Sequence, residues 1–199
     1  MSGSAVPALL ALATVGATLA GSPRGGLAAE PAPAAKASAA PGGESSVVLV
    51  DLKAIKQAMQ QSHGRTLLVH FWASWCLPCM EELPLINRFA QKAKGQGVDV
   101  LSVSLDNPDA AARVAKVLSR SAPNLTRTIA KIDDADAFIA TFDRQWEGAI
   151  PALFGFDGEG KLRGHRIGEA TRRQLDGLVG EVIGKPFSTA AAVSGAPKK

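Results

Sequence analysis

The sequence predicts an α/β domain over residues 47–184, built on a central mixed β-sheet with helices on both faces. Three observations carry this. The run Thr66–Trp72 is apolar at almost every position, as a strand covered on both faces must be. Short apolar runs then alternate with segments whose apolar residues recur at helical spacing, the order that packs helices onto a sheet. Finally, Pro151 stands at the entrance to the strand Ala152–Phe156, and the turn at 157–160 folds the chain back as a hairpin.

The elements follow in order. The 199 residues suit one domain with appendages. The net charge of +4 is modest, and Lys and Arg are spread without a basic stripe or interleaved aromatics, which argues against nucleic-acid binding. Residues 1–29 hold an apolar core with small-residue cleavage sites at Ala20 or Ala28/Ala29, and read as a signal peptide or N-terminal anchor. No Lys or Arg precedes that core, and Pro7 and Gly16 disfavour a stable span. Residues 30–46, with Pro31, Pro33 and Pro41 among Ala, Gly and Ser, cannot bury enough apolar surface to fold and read as a disordered linker.

The domain opens with a short strand at 47–50, and Asp51 caps a helix with Ile55 and Met59 on its apolar face. His63 is expected on the surface at that helix's end. After the strand Thr66–Trp72, a helix presents Leu83, Ile86, Phe89 and Ala90 to the core, with Pro84 inside it. A second buried strand spans 98–105. Asn107 is expected to cap the next helix with Pro108 at its first position. An added strand at 124–132 and a helix at 133–142 precede the hairpin, on whose second strand His165 alternates outward. The last helix, 171–183, buries Leu175, Leu178, Val179 and Val182, and residues 185–199 read as a disordered tail.

The chemistry concentrates where the apolar strand meets its helix. The chain has two cysteines, Cys76 and Cys79, spaced by Leu77 and Pro78. A helix N-terminus leaves N–H groups unpaired and favours an anion, which for Cys76 is the thiolate. A free thiol titrates near roughly 8.5, and such a site brings it to about 3.5–7.5. Cys79 lies one helical turn deeper. Zinc would need four ligands, and no second Cys-x-x-Cys or close His pair exists. A structural disulfide is the other reading, but a two-residue spacer makes a tight, reducible ring rather than a long-loop staple.

The string Phe71-Trp72-Ala73-x-Trp75-Cys76-x-Pro78-Cys79 resembles the thioredoxin active-site signature. Its continuation, Glu82-Leu83-Pro84, resembles the exported TlpA/ResA-type thiol–disulfide oxidoreductases more closely than cytosolic thioredoxin. The resemblance implies a thioredoxin fold with an extra αβ insert. It also implies a catalytic set of Cys76, Cys79 and Glu82, to which the chemistry of a buried imidazole adds His70 as a candidate. Cys76 attacks and Cys79 resolves. Glu82, on the helix face of Cys79, tunes its protonation, the alternative being that it complements the helix dipole, as Glu81 does. His70 occupies a position where thioredoxins carry an acidic residue and TlpA/ResA-type proteins often an Asn. It reads either as a neutral buried imidazole or as the acceptor of the Cys79 proton.

Ile150-Pro151 resembles the cis-proline loop that packs against the dithiol in this family, leaving the Ile150 backbone to pair with a substrate strand. Trp75 and Trp146 complete the implied substrate-binding set, the alternative for Trp146 being that it only fills the loop. The resemblance further implies a monomer that reduces protein disulfides such as those of apocytochrome c in the periplasm. Its electrons come from a DsbD/CcdA-type membrane donor, with no cofactor beyond the Cys76–Cys79 disulfide and no metal. Three rival readings use the same residues or fold: a disulfide oxidase or isomerase, a Cu(I)-binding module on the two thiolates, and a peroxidase. The copper reading needs a downstream His near the dithiol, for which His165 is poorly placed. The peroxidase reading needs a lone peroxidatic Cys that is absent.

Overall fold

The computed structural model describes residues 46–62 and 64–190. His63, the signal segment at 1–29, nearly all of the 30–46 linker and the tail beyond 190 lie outside the described residues. The elements run β1 (Val48–Asp51), α1 (Leu52–Gln60), β2 (Thr66–Trp72), α2 (Leu77–Lys94), β3 (Val98–Ser104), a 3-10 turn (Pro108–Ala110) and α3 (Ala111–Ser121). They continue with β4 (Thr128–Lys131), α4 (Ala135–Phe142), β5 (Ala152–Phe156), β6 (Leu162–Ile167) and α5 (Arg172–Ile183).

The six strands form one sheet in the order β1-β4-β3-β2-β5-β6. The first four are mutually parallel, whereas β5 and β6 are antiparallel to their neighbours. The alternating pattern predicts this mixed α/β sheet, and its thioredoxin arrangement is the one the resemblance implies. The added strand β4 is inserted between β1 and β3 rather than appended to an edge.

All seven residues of β2 are buried, which is why its sequence does not alternate. Its two faces nonetheless part cleanly. Leu68 and Trp72 join the core with Leu83, Ile86 and Phe89 of α2, Val114 and Leu118 of α3, and Leu175 and Leu178 of α5. Leu67, Val69 and Phe71 face Ile55 and Met59 of α1 and Phe138 and Phe142 of α4. His70, two residues from Leu68 and from Trp72, shares the α2 face by strand periodicity.

Side-chain oxygens cap α1, α4 and α5, and the cap at Asp51 is the one the sequence predicts. The Asp51 carboxylate accepts the Ala54 N–H at 2.7 Å, and Asp134 accepts that of Ala137 at 3.0 Å. Thr171 and Gln174 form a reciprocal capping box at α5. Two expectations need correction. Asn107 makes no capping hydrogen bond, because Pro108 opens a 3-10 turn rather than the helix itself, and α3 starts at Ala111. The segment after α5 is not unstructured from residue 185. Phe187 packs toward Phe89, and buried Thr189 donates its N–H and hydroxyl to Asp176 at 3.0 Å each, so the chain is tied down through 190.

Candidate active site

Cys76 and Cys79 are joined in a disulfide at the start of α2. Cys76 is the N-cap, and its Sγ accepts the Cys79 N–H at 3.3 Å. A sulfur thus stands where a Ser or Asp oxygen caps other helices, against the positive end of an 18-residue helix. Cys76 keeps 7% exposure and Cys79 none, so an incoming disulfide can meet only the first sulfur. The flanking Trp75 and Leu77 are 65% and 62% exposed. Two large apolar side chains in solvent beside a reactive sulfur form a surface fit for an apolar protein segment.

Across from the dithiol, the Ile150–Pro151 peptide bond is cis, as the sequence resemblance implies. The Ile150 carbonyl oxygen lies 3.8 Å from Cys76 Sγ. Trp146, expected among the substrate-binding residues, is instead buried. Its ring stacks on Phe71 at 5.2 Å between centroids and meets Phe142 and Phe154 edge-on, while its Nε1–H donates to the Ala149 carbonyl at 2.8 Å. It is an aromatic anchor that holds the 146–150 loop from beneath, not a contact open to substrate.

Behind Cys79 the structure joins two residues that the sequence offered separately. His70 Nε2 lies 2.8 Å from Glu82 Oε1, and both side chains are buried. The other Glu82 oxygen accepts the Ala170 N–H at 3.0 Å, just before α5. Both Glu82 oxygens are thus engaged, one by the Ala170 N–H and the other by the imidazole. The second imidazole nitrogen, Nδ1, sits 3.2 Å from the Ser102 hydroxyl. His70 and Ser102 are register partners on β2 and β3, so strand pairing itself places them side by side. The Ser102 hydroxyl can donate to a neutral imidazole or accept from an imidazolium, so this chain of groups tolerates either charge. Sequence reading found His70 and Glu82 but missed Ser102 and Ala170. A serine in a buried strand was the available signal.

His165 stands apart from the site. It lies 3.3 Å from Asp143 and against the ring of Phe154, which belongs to the α1/α4 side of the sheet. Both cysteines belong to the core on the α2 side. Among the described residues no group of three His, Cys, Asp or Glu side chains is arranged to hold a metal ion. No described helix is long and apolar enough to cross a membrane.

The fold and its dithiol define a thioredoxin-like thiol–disulfide oxidoreductase. The redoxin family profile matches residues 27–179. The thiol–disulfide oxidoreductase ResA of Bacillus thuringiensis (strain Al Hakam) is 30% identical over 135 residues, covering 68% of this chain and 73% of that protein. ResA of Geobacillus kaustophilus is 30% identical over 129 residues, covering 65% and 70%. Among solved structures, the thioredoxin-related protein of Neisseria meningitidis serogroup B shares the fold with a TM-score of 0.51. It is 20% identical and covers 61% of this chain and 87% of that one. The chain belongs to the redoxin family, as a thiol–disulfide oxidoreductase of the TlpA/ResA type.

Proposed function

We propose that the protein reduces protein disulfides outside the cytoplasm, with Cys76 as nucleophile and Cys79 as resolving thiol. The observation that carries this is the asymmetry of the pair. One sulfur is accessible at a helix N-terminus, and the other is sealed one turn deeper on the helix face that also bears Glu82. The Cys76 thiolate attacks one sulfur of the substrate disulfide, forming a mixed disulfide and expelling a substrate thiolate. Cys79, giving its proton to the His70–Glu82 pair, then attacks Cys76 Sγ. The intrachain disulfide forms and the second substrate thiolate leaves. Two electrons pass to the substrate, and its two thiolates are protonated, one by the proton that Cys79 released and one by a proton from solvent, where ionisation of Cys76 had left it.

The exposed Trp75 and the Ile150 backbone, set by cis Pro151, receive the substrate segment as an added strand. The disulfide is the only redox group the reaction needs. In this reading residues 1–29 direct export to the periplasm, and the monomer is re-reduced by a DsbD/CcdA-type membrane donor. The substrate is apocytochrome c or a similar protein disulfide. A Cu(I)-carrying role is disfavoured because His165 lies on the other side of the sheet.

The reduction potential of Cys76–Cys79 tests the direction. It is measured by equilibration with thiol buffers and followed by the fluorescence of the adjacent Trp72 and Trp75. A value near or below about −270 mV, where thioredoxin lies, is expected. A value near about −120 mV, that of a dedicated oxidant, would reverse the direction of electron flow.

A further inference from the structure

Asp106, immediately beyond β3, is a buried carboxylate that the reaction above does not use. Its oxygens accept three hydrogen bonds: from the Ser74 N–H at 2.7 Å, the Ser74 hydroxyl at 2.6 Å and the Ser104 hydroxyl at 2.6 Å. The Ser104 oxygen in turn accepts the Asp106 N–H at 3.0 Å, closing a ring. Among the described residues no cation pairs with this carboxylate, so only neutral donors offset its desolvation. Two of the three are on one residue, Ser74, two positions before Cys76.

The surrounding backbone converges on the same turn. The Leu105 N–H donates to the Trp72 carbonyl at 2.8 Å, and the Cys76 N–H to the Ala73 carbonyl at 3.1 Å. Ser74 is therefore gripped by side chain and main chain together. Trp75, held between fixed neighbours, points to solvent, and Cys76 keeps the extended backbone of an N-cap at φ −91° and ψ 104°.

We infer that Asp106 is a positioning residue for the dithiol: through Ser74 it holds Cys76 Sγ over the N-terminus of α2 once the disulfide has opened. In the oxidised protein the S–S bond already ties Cys76 to Cys79. On reduction that tether is gone, and the Asp106–Ser74 clamp keeps the thiolate at the N–H groups that stabilise it. The clamp thus acts on the reduced form. Losing it raises the pKa of Cys76 and shifts the thiol–disulfide equilibrium toward the disulfide. The inference rests on Cys76 being the nucleophile.

The test is iodoacetamide alkylation of the reduced full-length chain between pH 5 and 9, with the modified cysteine identified by mass spectrometry. Asp106→Asn is expected to move the Cys76 profile upward, slowing alkylation about tenfold for each pH unit the midpoint rises, at pH values well below the midpoint of the unaltered protein. Ser74→Ala keeps the carboxylate and the Ser74 N–H position, and is expected to move the profile the same way by less.

Removing a negative charge acting only through space would shift the Asp106→Asn profile downward, so the sign separates positioning from simple repulsion. An unchanged or lowered profile overturns the inference. Should Asp106→Asn not fold, Ser74→Ala decides alone, an unmoved profile refuting the clamp. A merely structural role would lower thermal stability and leave the Cys76 midpoint in place. Modification of Cys79 before Cys76 in the unaltered protein would instead defeat the assignment of the nucleophile.

Discussion

Glu82 permits a test in which two substitutions of similar size have unequal consequences. Its oxygens take one hydrogen bond each, from His70 Nε2 at 2.8 Å and from the Ala170 N–H at 3.0 Å, in a site closed to water. Glu82→Leu fills the space with a hydrocarbon and strands both buried groups. Each unsatisfied group costs about 1–3 kcal/mol, so the loss should reach roughly 2–6 kcal/mol. That is a large share of the roughly 5–15 kcal/mol typical of a folded domain.

Glu82→Gln keeps the shape, and the network can rearrange around it. The amide oxygen accepts the Ala170 N–H. The amide N–H₂ donates to His70 Nε2, now the unprotonated nitrogen, and Nδ1–H donates to Ser102. Both contacts are kept and only the second amide N–H is left without an acceptor, so stability should fall by about 1–3 kcal/mol, half the loss expected for Leu. Urea unfolding of the oxidised proteins measures both losses, and nitrogen chemical shifts of His70 report the change of tautomer. If Gln were as costly as Leu, the site would depend on the carboxylate charge rather than on its two hydrogen bonds, and the reasoning would fail.

Two further outcomes follow from geometry elsewhere. A Cβ on Gly155, in β5, would meet Val182 Cγ2 at 2.6 Å, with Leu178 and Leu68 atoms at 3.4 Å. Gly155→Ala should therefore cost about 1–3 kcal/mol by overpacking, seen as a lower urea midpoint with an unchanged slope. At the β5–β6 turn, burial pushes the Asp157 carboxyl up. The N–H groups of Lys161 and Glu159 and the Arg163 guanidinium outweigh this and hold it below the usual range. A depressed folded pKa stabilises above the unfolded value near roughly 4, and that contribution disappears as pH falls through the folded value. Asp157→Asn should thus lower the thermal midpoint at pH 7, by the equivalent of under about 1 kcal/mol at this partly solvated pair. The difference should vanish in acid, and an equal loss at both ends of the pH range would refute it.

Much of the domain was legible because its signals are local. A seven-residue run that is apolar at all but Thr66 and His70 reads as a doubly covered strand, and Thr66–Trp72 is one. Asp51 was readable as the cap of the helix that follows it, since a cap reaches only three residues ahead, whereas Asp134 and Thr171, read as helix residues, turn out to be caps. The dithiol and Ile150-Pro151 were likewise readable as motifs. Asn107 misled for the same local reason: a good cap residue before proline does not say whether an α-helix or a 3-10 turn follows. Phe187 and Thr189 were lost in an Ala-rich tail because what holds them, Phe89 and Asp176, lies elsewhere in the chain.

By itself, the sequence determined the kind of chemistry: a dithiol at a strand-to-helix junction, a proline loop to face it, and helices enough to bury the sheet. Only the tertiary structure decided how the buried polar groups are shared. His70 meets Ser102 because parallel pairing of β2 and β3 sets them in register across 32 residues. Glu82 reaches both His70 and Ala170, 88 residues away, because α2 and the start of α5 pack on one face. Trp146 turned inward once Phe71, Phe142 and Phe154 gave it a pocket. A buried polar or aromatic side chain takes the partner that satisfies it, and that partner's position depends on strand register and helix packing, which no local spacing records.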